Sequence, residues 1–212
     1  MMSMEPDTMA AGIHSCHVGQ VPTPQITVMY TDDELYRRFR GGDTSAYDEL
    51  MVRLGDGLIL YLNGYLHNWH DSEDLMIEAF ARIMVKRPLI GDGKFRSYLY
   101  RTARNLASRF HARSMRAEVF SLDGFEEQLP DQKQIEEKLQ KEETRKILRL
   151  CMEGIDSQTR EALWLVYVED MSYAQAAMVM GVSTKKIDHL LDRGKKRLRT
   201  ELEKEGVSHA HE

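Results

Sequence analysis

Six arginines and two tyrosines packed into one helix-length of chain are the residues best suited to chemistry in this sequence. Between Phe95 and Arg116 the chain reads FRSYLYRTARNLASRFHARSMR, with no acidic side chain until Glu118. Arg96, Arg101, Arg104, Arg109, Arg113 and Arg116 stand there beside Tyr98, Asn105 and Ser108. A one-sign array of this kind suits a phosphate backbone, and an aromatic ring among arginines suits unstacked bases. Phe95, Leu99, Ala103, Leu106 and Phe110 recur at three- and four-residue steps, which predicts a helix with one buried stripe. A solvated helix with snorkelling arginines has the same composition, so the flanking sequence must decide between the two.

A second constellation lies at Met171 to Arg199, MSYAQAAMVMGVSTKKIDHLLDRGKKRLR. Ser172 is placed to cap a short helix carrying Ala176, Ala177 and Met180. Gly181 permits a tight turn, Val182 plugs the core, and Ser183 caps a longer helix with Ile187, Leu191 and Leu198 inward. Two helices, a glycine turn and a basic end make the helix-turn-helix pattern.

The elements that must carry these stretches follow from the rest of the chain. It has 212 residues and a net charge of -5. That charge is segregated: Arg96 to Arg116 and Lys185 to Arg199 are basic, Glu118 to Glu143 mostly acidic, and distribution matters more than the sum. Residues 1–28 show no periodicity and read as a flexible extension. Residues 29–116 predict four helices in a compact domain. The first is capped by Thr31 or Asp32 and ends at Gly41-Gly42. The second runs from about Asp43 to Leu66, with Gly55 and Gly57 weakening it. The third is capped by Asp71 or Ser72, has the stripe Leu75, Ala79, Phe80, Ile83 and Met84, and stops before Pro88. The fourth is the arginine helix. Residues 117–142 read as an acidic linker, residues 143–202 as a second small helical domain, and 203–212 as a tail. In the second domain Asp156 or Ser157 caps a helix with Leu163, Trp164, Val166 and Tyr167 inside. The fold class is therefore all-α, two small helical domains joined by an acidic linker.

Other chemistries find little support. No apolar run approaches the ~20 residues of a membrane span, and MMSMEPDTMAAG lacks a signal peptide's basic start and apolar block, so a cytoplasmic protein without membrane insertion is expected. Cys16 and Cys151 are too few for a disulfide framework. His14, Cys16 and His17 are potential metal ligands, which His67, His70, His209 or His211 could supplement. A closed site needs ligands from separated positions, so no metal and no cofactor are expected. No phosphate loop or nucleophile motif is present, so neither catalytic residues nor an enzyme are expected.

Taken together, the chain from Thr31 to Leu202 resembles the extracytoplasmic-function group of the sigma-70 family of bacterial RNA polymerase sigma factors. SEDLMIEAFARI at Ser72 to Ile83, KFRSYLYRTARNLA at Lys94 to Ala107, and the helix-turn-helix followed by LDRGKKRLR carry the resemblance. It implies that residues 29–116 are region 2 and residues 143–202 region 4. It implies that the helix Asp71 to Lys86, through Asp74, Glu78 and Arg82, docks on the clamp helices of the largest polymerase subunit, with the second domain on the flap. Phe95, Arg96, Tyr98, Arg101, Arg104, Asn105 and Arg109 would open the −10 promoter element, where a base flipped from the stack must regain stacking and edge hydrogen bonds. Thr184, Lys185, Lys186 and His189 would read the −35 duplex in the major groove, with Arg193, Lys196 and Arg197 on phosphates. Core polymerase, promoter DNA and an anti-sigma factor are the implied partners.

Three departures stand against that pattern. Ile77 replaces a common glutamine. Asp188, His189 and Leu190 stand where the family usually has lysine, serine and arginine. Gly194 replaces the usual alanine at a cost of roughly 1 kcal/mol in helix propensity. Asp188 and Leu190 support an alternative reading, a sigma mimic that captures an anti-sigma factor without recognising a promoter. The arginines of the opening helix, which a decoy does not need, speak against it.

Overall fold

The structure is a computed structural model that describes residues 29–114, 120 and 155–204. All regular elements among the described residues are helical. Helix α1 (Asp32–Arg40) starts at Thr31, whose hydroxyl accepts from the Glu34 amide while Glu34 reaches back to the Thr31 amide. This reciprocal cap satisfies two donors that helix geometry leaves open. Helix α2 (Ser45–Leu66) runs unbroken through Gly55 and Gly57. Helix α3 (Trp69–Lys86) begins earlier than expected, because Asn68 is the cap and accepts from the Asp71 amide at 3.0 Å. Ser72, one of the expected caps, is buried and donates its hydroxyl to the Asn68 carbonyl at 2.7 Å. Met84 is exposed and not part of the buried stripe.

Helix α4 (Phe95–Ser114) has no acid of its own in the first turn. Asp33 of α1 supplies one: its carboxylate accepts from the Lys94 and Phe95 amides at 3.2 and 3.1 Å. The start of the arginine helix is thus tied to a residue more than 60 positions earlier. Phe95, Tyr36, Phe39, Tyr47 and Phe80 make successive ring contacts that link α4, α1, α2 and α3. Tyr36 also donates to the Pro88 carbonyl at 2.9 Å, just past the end of α3, and Tyr47 donates to the Phe80 carbonyl within that helix.

In the described part of the second unit, Asp156 caps α5 (Ser157–Leu163) by accepting from the Thr159 amide at 3.1 Å. The helix widens into a π-helical turn at Trp164–Val168. That turn buries Leu165 but rotates Tyr167 and Val168 outward, so Tyr167, expected inside, is 55% exposed. Ser172 and Gln175 form a reciprocal cap on α6 (Tyr173–Met180), and Gly181 closes it at φ 69°. Helix α7 (Thr184–Lys204) then packs on α5. Residues 143–154, read as the start of the second domain, lie outside the described residues, as do His14, Cys16 and His17.

Two of the departures acquire a packing reason. Leu190 is buried beside Ile187 and Leu191, so it is a core residue of the second unit. Gly194 lies where α7 crosses α5: a Cβ there would stand 2.8 Å from the Thr159 methyl and 3.0 Å from Leu163 Cδ1. The glycine is needed for that approach. Gly194→Ala gains roughly 1 kcal/mol of helix propensity but loses more to overpacking. A net destabilisation of about 1–2 kcal/mol in thermal unfolding is expected. Thr159→Ser, which removes the obstructing methyl and keeps the hydroxyl, should recover most of it.

Candidate nucleic-acid interface

Helix α4 has three sides, and the structure distributes the sequence-predicted residues among them. Phe95, Leu99, Ala103 and Leu106 are buried against α1 to α3. Phe95, expected on the nucleic-acid face, is therefore part of the core, its ring 4.7 Å from that of Tyr36. The outward side presents Tyr98, Arg101, Asn105 and Arg109. Arg101 and Arg109 hold no ion pair among the described residues. The third side, with Arg96, Tyr100 and Arg104, meets the second unit.

The outward side opens into a shallow groove of about 160 Å³ between α3 and α4. Arg82 and Lys86 line it from α3, and Tyr98, Thr102, Asn105 and Arg109 from α4. Arg82 is oriented by Glu78, one turn earlier, through contacts of 2.6 and 3.0 Å. Glu78 and Arg82 thus act as a pair, while Asp74 is exposed one turn further back. Three cations, a phenol and an amide around one depression can hold a phosphate, offer a ring face, and form hydrogen bonds to a base edge. Lys86 and Thr102 are additions that the sequence did not single out. Lys86 was legible only as the last turn of α3, and its convergence with α4 is a tertiary fact.

The third side carries the most buried charge in the described protein. Glu161 of α5 is 2% exposed and accepts from Tyr61 Oη at 2.8 Å and from Arg104 Nε at 2.7 Å. Glu169, after the π turn, is 4% exposed. It accepts from Arg96 Nη2 at 2.8 Å, Tyr100 Oη at 2.6 Å and Trp164 Nε1 at 3.2 Å. Burial alone would lower the Arg104 guanidinium, but the hydrogen bonds and charge of Glu161 outweigh it and hold it above its ordinary value. Arg96 is likewise raised against its burial, by Tyr100 and Glu169. Phe120, from the stretch read as a linker, is fully buried in contact with Tyr61, Tyr65 and Trp164. Sequence reading missed Tyr100, Glu161 and Glu169. Tyr100 beside Leu99 already signalled a helix buried on more than one side.

On α7, Thr184, Lys185, Lys186, Asp188 and His189 form an exposed row at the helix start. Arg193 is turned back onto α5, donating to Asp156 at 2.7 Å and to the Thr159 hydroxyl at 2.8 Å. Despite its partial burial, Asp156 is held below the usual carboxylate range by Thr159 and Arg193. Lys196 pairs with Asp192 at 2.9 Å on the exposed surface. Arg197 is exposed on the same helix. Among the described residues no cluster of three metal-ligating side chains exists, and no helix is long and apolar enough to cross a membrane.

A four-helix unit ending in an arginine helix, followed by a helix-turn-helix unit, defines a class of protein that sequence comparison identifies directly. Residues 50–117 match sigma-70 region 2, and residues 145–198 match sigma-70 region 4. The chain belongs to the sigma-70 family, and within it to the extracytoplasmic-function group of RNA polymerase sigma factors. It is 26% identical over 152 residues to the ECF RNA polymerase sigma factor SigM of Bacillus subtilis, covering 72% of this chain and 92% of that protein. It is 27% identical over 159 residues to the ECF RNA polymerase sigma-E factor of Escherichia coli, covering 71% and 83%. Among solved structures, CnrH in complex with the cytosolic domain of CnrY superposes with a TM-score of 0.58 at 20% identity, covering 81% of this chain and 97% of that one. The fold is shared.

The buried phenols give this interface a readable titration. Tyr61, Tyr65 and Tyr100 are pushed well above the ordinary value of 10.0, first by burial and then by the facing carboxylates. A phenol raised in the folded state adds stability that is fully present below its unfolded value, near pH 10, and is lost as pH climbs through the folded value. These three should therefore ionise only as the protein unfolds, giving a cooperative late step in phenolate absorbance that coincides with loss of helical circular dichroism. Smooth ionisation of all nine tyrosines with helicity intact is the contrary result.

Proposed function

We propose that this chain acts as a promoter-specificity subunit, binding core RNA polymerase and opening the −10 element on the outward side of α4. The observation that carries this reading is the groove in which Arg82, Lys86, Tyr98, Asn105 and Arg109 converge. Cations on its rim hold the strand's phosphates, and Tyr98 and Asn105 receive a base that has left the stack. The stacking and hydrogen bonds gained there offset the few kcal/mol that unstacking costs. The α3 surface with Asp74 and Glu78 is assigned to the polymerase clamp helices, and Arg82, paired with Glu78, stands at its border with the groove. Exposed Ile77, Val85 and Leu89, on α3 and just beyond it, add apolar area near that surface. The second unit docks on the flap.

The −35 element is read as duplex by the exposed start of α7, through Thr184, Lys185, Lys186 and His189, with Lys196 and Arg197 on phosphates. Asp188 fits a cytosine amino group. Arg193 contributes to phosphate contact only by leaving Asp156. An anti-sigma factor is a further partner of this chain. Support for it comes from the shared fold with the sigma factor RpoE, solved in complex with the anti-sigma factor NepR from Bartonella quintana. That structure superposes with a TM-score of 0.53 at 17% identity. The decoy reading loses one of its two supports, since Leu190 is accounted for by packing.

With core polymerase, the protein should give a defined transcript from its cognate promoter, and an adenine analogue in the melted segment should brighten as the complex forms. Fluorescence that stays quenched overturns the assignment of α4. Replacing Arg101 and Arg109 with alanine is expected to lower opening by about tenfold or more while polymerase affinity changes by less than about threefold, as for phosphate contacts outside the docking surface. Equal loss of both would move the docking surface onto α4.

A further inference from the structure

Four of the nine large apolar side chains exposed among the described residues gather on one side of α3 and just past its end. Besides Met84, these are Ile77 at 53% exposure, Val85 at 78% and Leu89 at 86%. Ile77, Ala81, Met84 and Val85 follow one another at offsets of four, seven and eight residues, so they share one stripe of the helix. The opposite stripe, with Leu75, Ala79 and Ile83, is the one that faces the core. A helix apolar on two opposite sides is complete only when a second surface covers the outer one.

The charges beside the outer stripe say which surface that is. Asp74 and Glu78 stand in the first half of α3, and Arg82 and Lys86 in the second half. Asp74 and Lys86 hold no ion pair among the described residues. A helix with acids early and cations late becomes its own complement when turned end for end. An antiparallel copy sets the acids of each helix toward the cations of the other and opposes the two helix dipoles. A parallel copy would set acid against acid. Ala81 is half-buried and lies midway between Ile77 and Val85, and its small side chain allows two axes to pass at the ~8–10 Å of close helix packing. Ile77 of one copy then meets Val85 of the other, twice, as two-fold symmetry requires.

We propose that the chain, when free of polymerase, forms a two-fold dimer in which α3 pairs antiparallel with α3 of a second copy, centred on Ala81. The same side of α3 carries the surface proposed for the clamp helices, so dimer and polymerase complex exclude each other. That exclusion, unlike the dimer itself, rests on the proposed docking surface.

The test uses the full chain, without polymerase and under reductant. Its mass in sedimentation equilibrium should climb from one chain toward two as concentration rises through the micromolar range. A mass of one chain throughout overturns the dimer. Ile77→Gln with Val85→Gln removes the facing apolar pairs and leaves every charge in place. With helical circular dichroism unchanged, it should weaken self-association by about tenfold or more, since four apolar side chains leave each dimer interface. Association equal to that of the wild type places the contact elsewhere and overturns the proposal.

Register is read by disulfide formation in a chain with Cys16→Ser and Cys151→Ser. Ala81→Cys sets two thiols across the two-fold axis, within disulfide reach for closely packed helices. With oxidised glutathione it should form a linked dimer about tenfold or more faster than Val52→Cys, because pairing raises the local thiol concentration. Val52 serves as the comparison because it is 84% exposed on α2, away from the stripe. Equal rates overturn the antiparallel pairing. Core polymerase then separates the two claims. The linked Ala81→Cys dimer should fail to bind it and should recover binding once reduced. Binding in the linked state leaves the dimer standing and moves the polymerase surface off α3.

Discussion

Charge buried between α4 and the second unit is the constraint on which this structure depends. Glu161 and Glu169 each bring a carboxylate out of water, and each is compensated by a guanidinium and a phenol from the first unit. Such a pair adds little net stability compared with apolar packing, because desolvation consumes most of the attraction. Losing one member is a different matter, since the other is left charged and dry, at a cost of about 3–5 kcal/mol. The arrangement is thus sharply specific and only modestly stabilising. Apolar side chains alone would have made the two units adhere without fixing which residues meet.

Around that constraint the helices are placed by long-range polar anchors more than by their own propensities. Asp33 caps α4 from α1, Tyr36 and Tyr47 tie α1 and α2 to the chain just past α3 and to its interior, and Arg193 braces α7 against the start of α5. The buried side chains of both units form one continuous cluster, with Phe120 wedged among the rings of Tyr61, Tyr65 and Trp164. A helix-turn-helix unit of this size has a small core of its own, so its docking on α4 completes its burial.

Most of the helical layout was legible in the sequence. The caps at Thr31 and Ser172, the turn at Gly181 and the stripe of α4 are local signals, and local signals survive folding. The errors have tertiary causes. Asp71 and Ser72 are good capping residues, but Asn68 already satisfies the Asp71 amide, so α3 starts there. Phe95 reads equally as platform or core from sequence, and the ring of Tyr36 makes it core. Tyr167 follows the periodicity of an α-helix, which the π turn interrupts. For the site, the arginines and Tyr98 were visible as a composition. Their division between an open groove and an occupied interface depends on what packs against each side of one cylinder, and no spacing within α4 encodes that.

The widened turn at Trp164–Val168 sets a length requirement on this part of the chain. Helices open in this way when one residue more than the regular register allows must fit between fixed points, and such turns recur at functional positions. With one residue fewer, the coil would tighten to ordinary pitch and the side chain at Glu169 would swing by about 100°. The carboxylate would then miss its guanidinium while sequence, composition and helix content stayed nearly the same. Relatives that differ here by a single deletion would thus keep the architecture yet lose the clasp, so segment length, more than residue identity, decides whether the two halves hold each other.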